Sequence, residues 1–182
     1  LDRSGTARHQ CRTSAARIYV WSLDEFSPLW ESLSGEYAVI QCFTAANVDE
    51  DAAAEIVMVA DNRLVYVDGG TFTKQFTSIN EYAATQVRCG DVDGDGRAEI
   101  VLNSGKVVDA GSGDVEWEDE PFFGRIELLD IDGNGVLEVL TEDPDGGGIA
   151  VQDPPVDGRP KDAGQVLLRQ EAVAPLGGRE RA

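Results

Sequence analysis

Histidine, cysteine and basic residues are scarce in this 182-residue chain, and each scarcity excludes a kind of chemistry. The one histidine, His9, lies in an irregular head segment, so the chain lacks the Ser-His or Cys-His pair of common hydrolases. The three cysteines, Cys11, Cys42 and Cys89, are odd in number and widely spaced. They predict neither a disulfide framework nor a zinc site. We leave enzymatic activity open and favour a non-catalytic role.

Long apolar runs are also absent. No segment approaches the roughly 20 apolar residues that a membrane-spanning helix requires, and no early segment has the layout of a signal peptide. The first residue is Leu rather than Met. We therefore expect no membrane insertion, and we expect the chain to be a piece of a longer protein or a processed product.

Positive charge is scarce only in the middle of the chain. The whole chain carries 34 acidic and 15 basic residues, a net charge of −19, and 18–153 alone holds 29 acidic and 6 basic residues. Such a field repels nucleic acid and attracts cations, so we expect no nucleic-acid partner. The composition predicts an irregular head or linker at 1–17, a folded core at 18–153 and an irregular tail at 154–182, with a short helix at 165–173.

What the chain does have is an acidic repeat. It reads NVDEDAAAEIVMV at 47–59, DVDGDGRAEIVLN at 91–103 and DIDGNGVLEVLTE at 130–142, with starts 44 and 39 residues apart. Short apolar runs rich in Val and Ile follow each loop, which favours strands covered on both faces over helices. A period near 40 residues with about four strands is typical of a propeller blade. We predict an all-β fold, a β-propeller fragment of about three four-stranded antiparallel blades.

Carboxylates occupy alternate positions of the second loop. Counting from Asp91, positions 1, 3, 5 and 9 are Asp91, Asp93, Asp95 and Glu99, and the carbonyl of Arg97 stands at position 7. Calcium takes six to eight such oxygens, and a glycine at position 6 permits the backbone reversal. An Asp- and Gly-rich turn without a metal is the alternative, but it does not explain why mutually repelling carboxylates should crowd three loops.

The EF-hand also begins with this pattern, and two features exclude it. It requires a glutamate at position 12, where the second and third loops have Leu102 and Thr141. It also requires flanking helices, whereas an apolar strand follows each loop. The sequence therefore predicts a calcium loop within a β-hairpin.

These loops resemble the FG-GAP/VCBS repeats of integrin-α-like β-propellers. The motif D-x-D-G-[DN]-G-x-x-E with its apolar strand covers about 18–153, and Phe123-Gly124 is similar to the "FG" element. The "GAP" element is replaced by NSG at 103–105. The resemblance implies Ca²⁺ in each well-formed loop. In the third loop it implies the ligands Asp130, Asp132, Asn134, Val136 (carbonyl) and Glu138.

The first loop departs from the motif. It has Ala52 where the glycine should stand, which makes its set a weaker metal candidate. That set is Asn47, Asp49, Asp51, Ala53 (carbonyl) and Glu55.

The resemblance further implies an extracellular or cell-surface repeat module, with the periplasm as the alternative. Its expected role is cell adhesion or the binding of a protein or glycan ligand. The alternative function is that of a part of a secreted polysaccharide-degrading enzyme, a lyase or hydrolase built on a propeller. Because propellers have four to eight blades, the remaining blades are expected from a longer parent chain or from a second copy.

Overall fold

The described part of the chain is built from β-strands and contains no helix. The computed structural model describes residues 16–49, 51–122, 124–142, 148–152 and 168–169. It has fourteen strands: β1 (Tyr19–Ser22), β2 (Ser27–Glu31), β3 (Ile40–Ala46), β4 (Glu55–Ala60), β5 (Arg63–Val67), β6 (Lys74–Glu81), β7 (Val87–Gly90), β8 (Glu99–Leu102), β9 (Lys106–Asp109), β10 (Val115–Glu118), β11 (Ile126–Leu129), β12 (Glu138–Glu142), β13 (Gly148–Gln152) and β14 (Leu168–Arg169).

The strands form four separate antiparallel sheets. β1 and β2 form a two-stranded sheet, and the other three sheets are four-stranded, β3 to β6, β7 to β10 and β11 to β14, each in chain order. None of the sheets is closed on itself. The predicted all-β class and the predicted four-stranded antiparallel units are therefore confirmed.

The two-stranded sheet corresponds to the outer half of a four-stranded one. An aromatic residue of its last strand lies opposite an apolar residue of the strand before it, and the same pairing recurs twice. The three pairs are Trp30 with Val20, Phe76 with Tyr66 and Trp117 with Val107. Among the described residues, the first of the stacked units is therefore represented by two strands, β1 and β2.

Successive sheets are stacked with their apolar faces together. Val57 and Val59 of β4 pack towards the sheet β7 to β10, whereas Met58 and Ala60 pack towards β1 and β2. A third cluster, which includes Val101, lies between the sheet β7 to β10 and the sheet β11 to β14. Strands such as β4 are buried on both faces, which is why their sequences are apolar at successive positions rather than at alternate ones.

The recurrent aromatic residues pack inside this stack. The ring of Trp30 stacks on Phe72 with centroids 5.3 Å apart, and that of Trp117 lies 5.8 Å from Phe122. Phe122 is only 4 % exposed. The ring of Phe122 fills space beside Trp117. Its neighbour Phe123 lies outside the described residues.

Neighbouring four-stranded sheets also touch along their first strands. β7 contacts β3 on one side and β11 on the other. Cys42 of β3 and Cys89 of β7 are free thiols that pack, half-buried, against the apolar cluster between their two sheets.

The flanking segments are described only in part. His9 and the rest of 1–15 lie outside the described residues. Of the helix expected at 165–173, only Leu168 and Arg169 are described, and they pair with β13 as a short strand. No described helix has the length and apolarity to cross a bilayer.

We expect the sheet-to-sheet contact to dominate stability. Replacing Ile100, which is fully buried in β8, by Ala removes apolar contacts and leaves a cavity. The free energy of unfolding should fall by about 2–5 kcal/mol in urea denaturation. The matched control is Ile79→Ala on β6, where the side chain is 92 % exposed and the change should be within about 0.5 kcal/mol. Equal losses in the two variants would contradict this stacking.

Candidate metal centres

Each acidic loop joins the first strand of a four-stranded sheet to the second. The loops run from 47 to 54, from 91 to 98 and from 130 to 137. In the second loop Gly94 and Gly96 have φ values of 82° and 91°, in the left-handed region that a residue with Cβ resists. The third loop has the same backbone at its two glycines, so the expected role of glycine in shaping these turns is confirmed.

In each loop, the side chains at positions 3 and 5 accept hydrogen bonds from the backbone amides two residues further along, and these bonds stabilise the turn. In the second loop Asp93 accepts a hydrogen bond from the amide of Asp95 at 2.9 Å, and Asp95 accepts one from the amide of Arg97 at 2.8 Å. The third and first loops repeat both bonds, with lengths between 2.6 and 3.0 Å. All three loops therefore share this turn chemistry, including the one without glycine.

Position 1 distinguishes the loops. Asp91 accepts hydrogen bonds from the amides of Gly94 and Gly96, and Asp130 does the same in the third loop. Asn47 instead donates from its side-chain amide to the carbonyl of Asp51 at 2.6 Å. Ala52 does not adopt a left-handed φ. The first loop thus reaches a similar shape by a different backbone path.

The glutamate at position 9 is the buried residue of each loop. Glu55, Glu99 and Glu138 are 0 %, 1 % and 4 % exposed. One carboxylate oxygen of each accepts a hydrogen bond from the loop's second amide, at 2.9, 2.8 and 2.7 Å. That bond fixes the carboxylate at the inner end of the loop.

The loops bring acidic side chains close enough to share one ion. In each, one oxygen from each of three carboxylates lies within 4.8 Å of the others. The groups are Asp49 with Asp51 and Glu55, Asp91 with Asp93 and Glu99, and Asp130 with Asp132 and Glu138. These three clusters could hold a metal ion. Asp95 lies outside its group, and the carbonyl ligands expected from Ala53, Arg97 and Val136, like the side chains of Asn47 and Asn134, stay predictions.

The donor set fits a hard cation. All of the grouped atoms are carboxylate oxygens, the ligands that calcium and magnesium prefer over zinc or copper. The first loop adds a separate observation, because the second carboxylate oxygen of Glu55 is buried and has no hydrogen-bond partner among the described residues. A buried carboxylate oxygen without a partner is costly, and a cation in the loop would satisfy it.

The second and third loops touch each other directly. The amide of Leu137 donates a hydrogen bond to the carbonyl of Asp91 at 3.1 Å. A Cβ placed on Gly94 would lie 2.9 Å from the side chain of Val136. These contacts between residues about 40 positions apart give no signal in the local sequence.

Gln75 on β6 contacts the first acidic loop, and the sequence pattern did not indicate this contact. Its side-chain amide donates to Asp49 at 3.1 Å and to Asp68 at 3.2 Å. It thereby links the first loop to the turn after β5. Nothing in its spacing marks it, since the partners come from different hairpins.

Burial, together with the negative charges of Asp93, Glu116 and Asp91, raises the pKa of Glu99 to about 7, against the opposing hydrogen bond from the Val92 amide. The proton is therefore held near neutral pH whenever no cation is bound.

Comparisons with known proteins do not assign this chain to a class or to a particular protein. Models of protein families, curated proteins and solved structures were each compared with the chain, and none matches it.

The raised pKa of Glu99 predicts a pH dependence for the metal-free protein. The folded state holds the proton up to about pH 7, whereas the unfolded chain loses it near 4.5. The contribution of Glu99 to stability should therefore be fully present below about pH 4.5 and should be lost as the pH rises through about 7. Urea denaturation with chelator at about pH 5 and pH 8 should show a loss on the order of 1–3 kcal/mol that is missing in Glu99→Gln. The matched control Glu120→Gln, at an exposed site, should keep the wild-type dependence; the same pH dependence in both variants would contradict the assignment.

Proposed function

We propose that the chain is a calcium-binding repeat module of the β-propeller type, in which each of the three acidic loops holds one Ca²⁺. The unpartnered buried oxygen of Glu55 carries this proposal, because it appears in the loop whose sequence is least similar to the motif. The loop that departs furthest from the motif thus contains a carboxylate oxygen that a cation would satisfy. We extend the proposal of a bound Ca²⁺ to the two loops that match the motif.

The arrangement of the sheets supports the propeller part of the proposal. Four-stranded antiparallel sheets in chain order, stacked face to face and in contact through their first strands, are what adjacent propeller blades have in common. The described sheets amount to three such units and half of another, so further blades are expected from elsewhere. The resemblance to FG-GAP/VCBS repeats agrees with this assignment.

Calcium is proposed rather than magnesium because each loop groups three carboxylates, more than the one or two through which proteins usually bind magnesium. Magnesium demands near-octahedral geometry and keeps several waters, whereas calcium accepts variable oxygen shells. The net charge of −19 also favours a divalent cation over an anionic partner. Exposed calcium loops of modest affinity are filled at the millimolar calcium of extracellular fluid, which supports an extracellular or cell-surface location.

The role that follows is structural and adhesive. Cations at the hairpin ends would stiffen the loops, and the stiffened sheets would present a surface to a protein or glycan ligand. A binding role accords with the lack of a Ser-His or Cys-His pair in the sequence. We propose no nucleic-acid partner, because the acidic core would repel it.

Calcium should raise the melting temperature. At a free calcium concentration about ten times the dissociation constant, each occupied loop adds about 1.4 kcal/mol, because only the folded state binds. Three loops should together raise Tm by roughly 10 °C relative to chelator in a thermal melt followed by circular dichroism. Magnesium at the same concentration serves as the control and should give a smaller shift. No shift with calcium would rule the proposal out.

Each loop should lose its ion when its buried glutamate becomes glutamine. Gln keeps an oxygen to accept the loop amide but places an NH₂ group where the second oxygen stood, and that group repels a cation. Native mass spectrometry should count three ions in the wild type and two in each of Glu55→Gln, Glu99→Gln and Glu138→Gln. Glu120→Gln, the same chemical change at an exposed site, should retain three. Unaltered counts in the loop variants would place the ions elsewhere.

A further inference from the structure

A cleft lies at the start of β3 and β7, and the acidic loops lie at the other end of these strands. It has a volume of about 990 Å³ and is lined by the beginnings of β1, β3 and β7 and by Arg125, which precedes β11. Its volume falls within the range of small-molecule sites. The acidic loops leave the far ends of β3, β7 and β11, so this cleft shares none of the candidate metal ligands.

The charge of this cleft is the reverse of the rest of the molecule. Three arginines, Arg17, Arg88 and Arg125, line it, and no acidic residue among those that the structure describes does. Two of the arginines pair with acids outside the lining, Arg17 with Glu31 and Arg88 with Glu127. The cleft between the first and second loops, by contrast, is lined by four aspartates and one arginine. On a chain with a net charge of −19, a wall of guanidinium groups is a selective place for an anion.

The three arginines differ in how much of their hydrogen-bonding capacity is used. Arg88 is held by Glu127 through two bonds of 2.9 Å, and Arg17 makes one bond of 3.2 Å to Glu31. The guanidinium of Arg125 is in none of the ion pairs of the described residues. Its charge adds to that of Arg88 in lowering the pKa of Glu127, and its backbone amide donates to Glu142 at 3.4 Å. The guanidinium of Arg125 therefore has donors to offer to a ligand.

The backbone that carries Arg125 is held in place. The side-chain amide of Gln86 donates to the carbonyl of Gly124 at 2.7 Å and accepts from the amide of Ile126 at 3.1 Å. These two bonds flank Arg125 on both sides. The bonds fix the backbone from which Arg125 reaches the cleft, whereas its side chain still loses rotamer freedom when it binds an anion.

The cleft also contains an unused acceptor and two exposed rings. The side-chain oxygen of Gln41 is buried and has no hydrogen-bond partner among the described residues, while its NH₂ group donates to Asn62. Tyr19 and Phe43 are 52 % and 65 % exposed. A ligand that matches these features has an anionic group for Arg125, a hydroxyl donor for Gln41 and a ring with an apolar face for the aromatic side chains.

We propose that this cleft binds a small hydroxylated ring carboxylate, of the chemical class of the sugar acids. The carboxylate pairs with Arg125, because a guanidinium matches a planar carboxylate with two parallel hydrogen bonds. A ligand hydroxyl donates to the oxygen of Gln41. Tyr19 and Phe43 cover the apolar face of the ring. The binding role proposed above thereby acquires a ligand class, although the cleft is independent of the cation loops.

Three monosaccharides with the same ring test this assignment: D-glucuronate, which has the carboxylate, D-glucose, which has none, and D-glucosamine, which carries a positive charge. Titration of ¹⁵N-labelled protein followed by NMR should give a dissociation constant on the order of 1 mM for glucuronate. Glucose should bind about 10-fold more weakly or not at all, and glucosamine should not bind. The shifted amides should include residues 85–88 and 124–126.

The variant Arg125→Gln should weaken glucuronate binding by about 10-fold or more, as expected for a lost charged hydrogen bond. Lys106→Gln is the matched control. It removes one positive charge on β9, from a residue paired with Glu118, and should leave the affinity unchanged. Because Arg125 is exposed and is in no ion pair among the described residues, its replacement should also leave the melting temperature unchanged.

The proposal is overturned if glucuronate does not bind the wild type, if glucose binds equally well, or if Arg125→Gln binds as the wild type does. A melt with calcium and with chelator on the same samples separates this result from the cation proposal. Loss of saccharide binding with intact calcium stabilisation refutes the cleft alone. Saccharide binding without calcium stabilisation refutes the loops alone.

Discussion

The buried glutamate at the start of each second strand is the feature on which both the fold and the candidate sites depend. Glu55, Glu99 and Glu138 are each withdrawn from water at the edge of an apolar core, and each accepts one hydrogen bond from its own loop. One bond does not compensate the burial of a charge, so a cation bound in the loop would stabilise the carboxylate. The aspartates around it disfavour a lone negative charge further and favour the cation.

This constraint links the loop to the core beneath it. The glutamate is the first residue of a strand that is buried on both faces, as in β8, where every residue is buried. A rearrangement of the loop would therefore move the strand, and the strand is fixed by sheets packed on either side. The contact between Leu137 and Asp91 extends the same coupling from one hairpin to the next. The acidic loops lie at one end of β3, β7 and β11, and the cleft lined by three arginines lies at the other end. The two ends of the stack therefore differ in charge.

Much of the fold could be predicted because the same pattern of loop and strand occurs three times, so each copy supports the strand assignment of the others. Apolar residues at successive positions indicated strands covered on both faces, and the hairpin position of each acidic loop followed from its spacing. Asp91, Asp93 and Glu99 are grouped as their positions in the turn predict, whereas Asp95, at position 5 of the same pattern, lies outside the group. The burial of Phe122 did not follow from the sequence, because nothing local distinguishes a ring beside Trp117 from one in solvent. The similar shape of the first loop was also missed, since side-chain hydrogen bonds from Asp49 and Asp51 replace what glycine does in the other two.

The sequence by itself determined the strands and the acidic turns, because these depend on residues fewer than ten positions apart, and it showed the repeat because one motif recurs about every 40 residues. Tertiary structure alone decided which sheets face each other, which carboxylate oxygen is left without a partner, and that Arg17, Arg88 and Arg125 line one cleft. Those arginines are separated by 71 and 37 positions in the chain. Only the stacking of whole sheets brings their strands together, and stacking is set by the fit of apolar surfaces rather than by any local pattern.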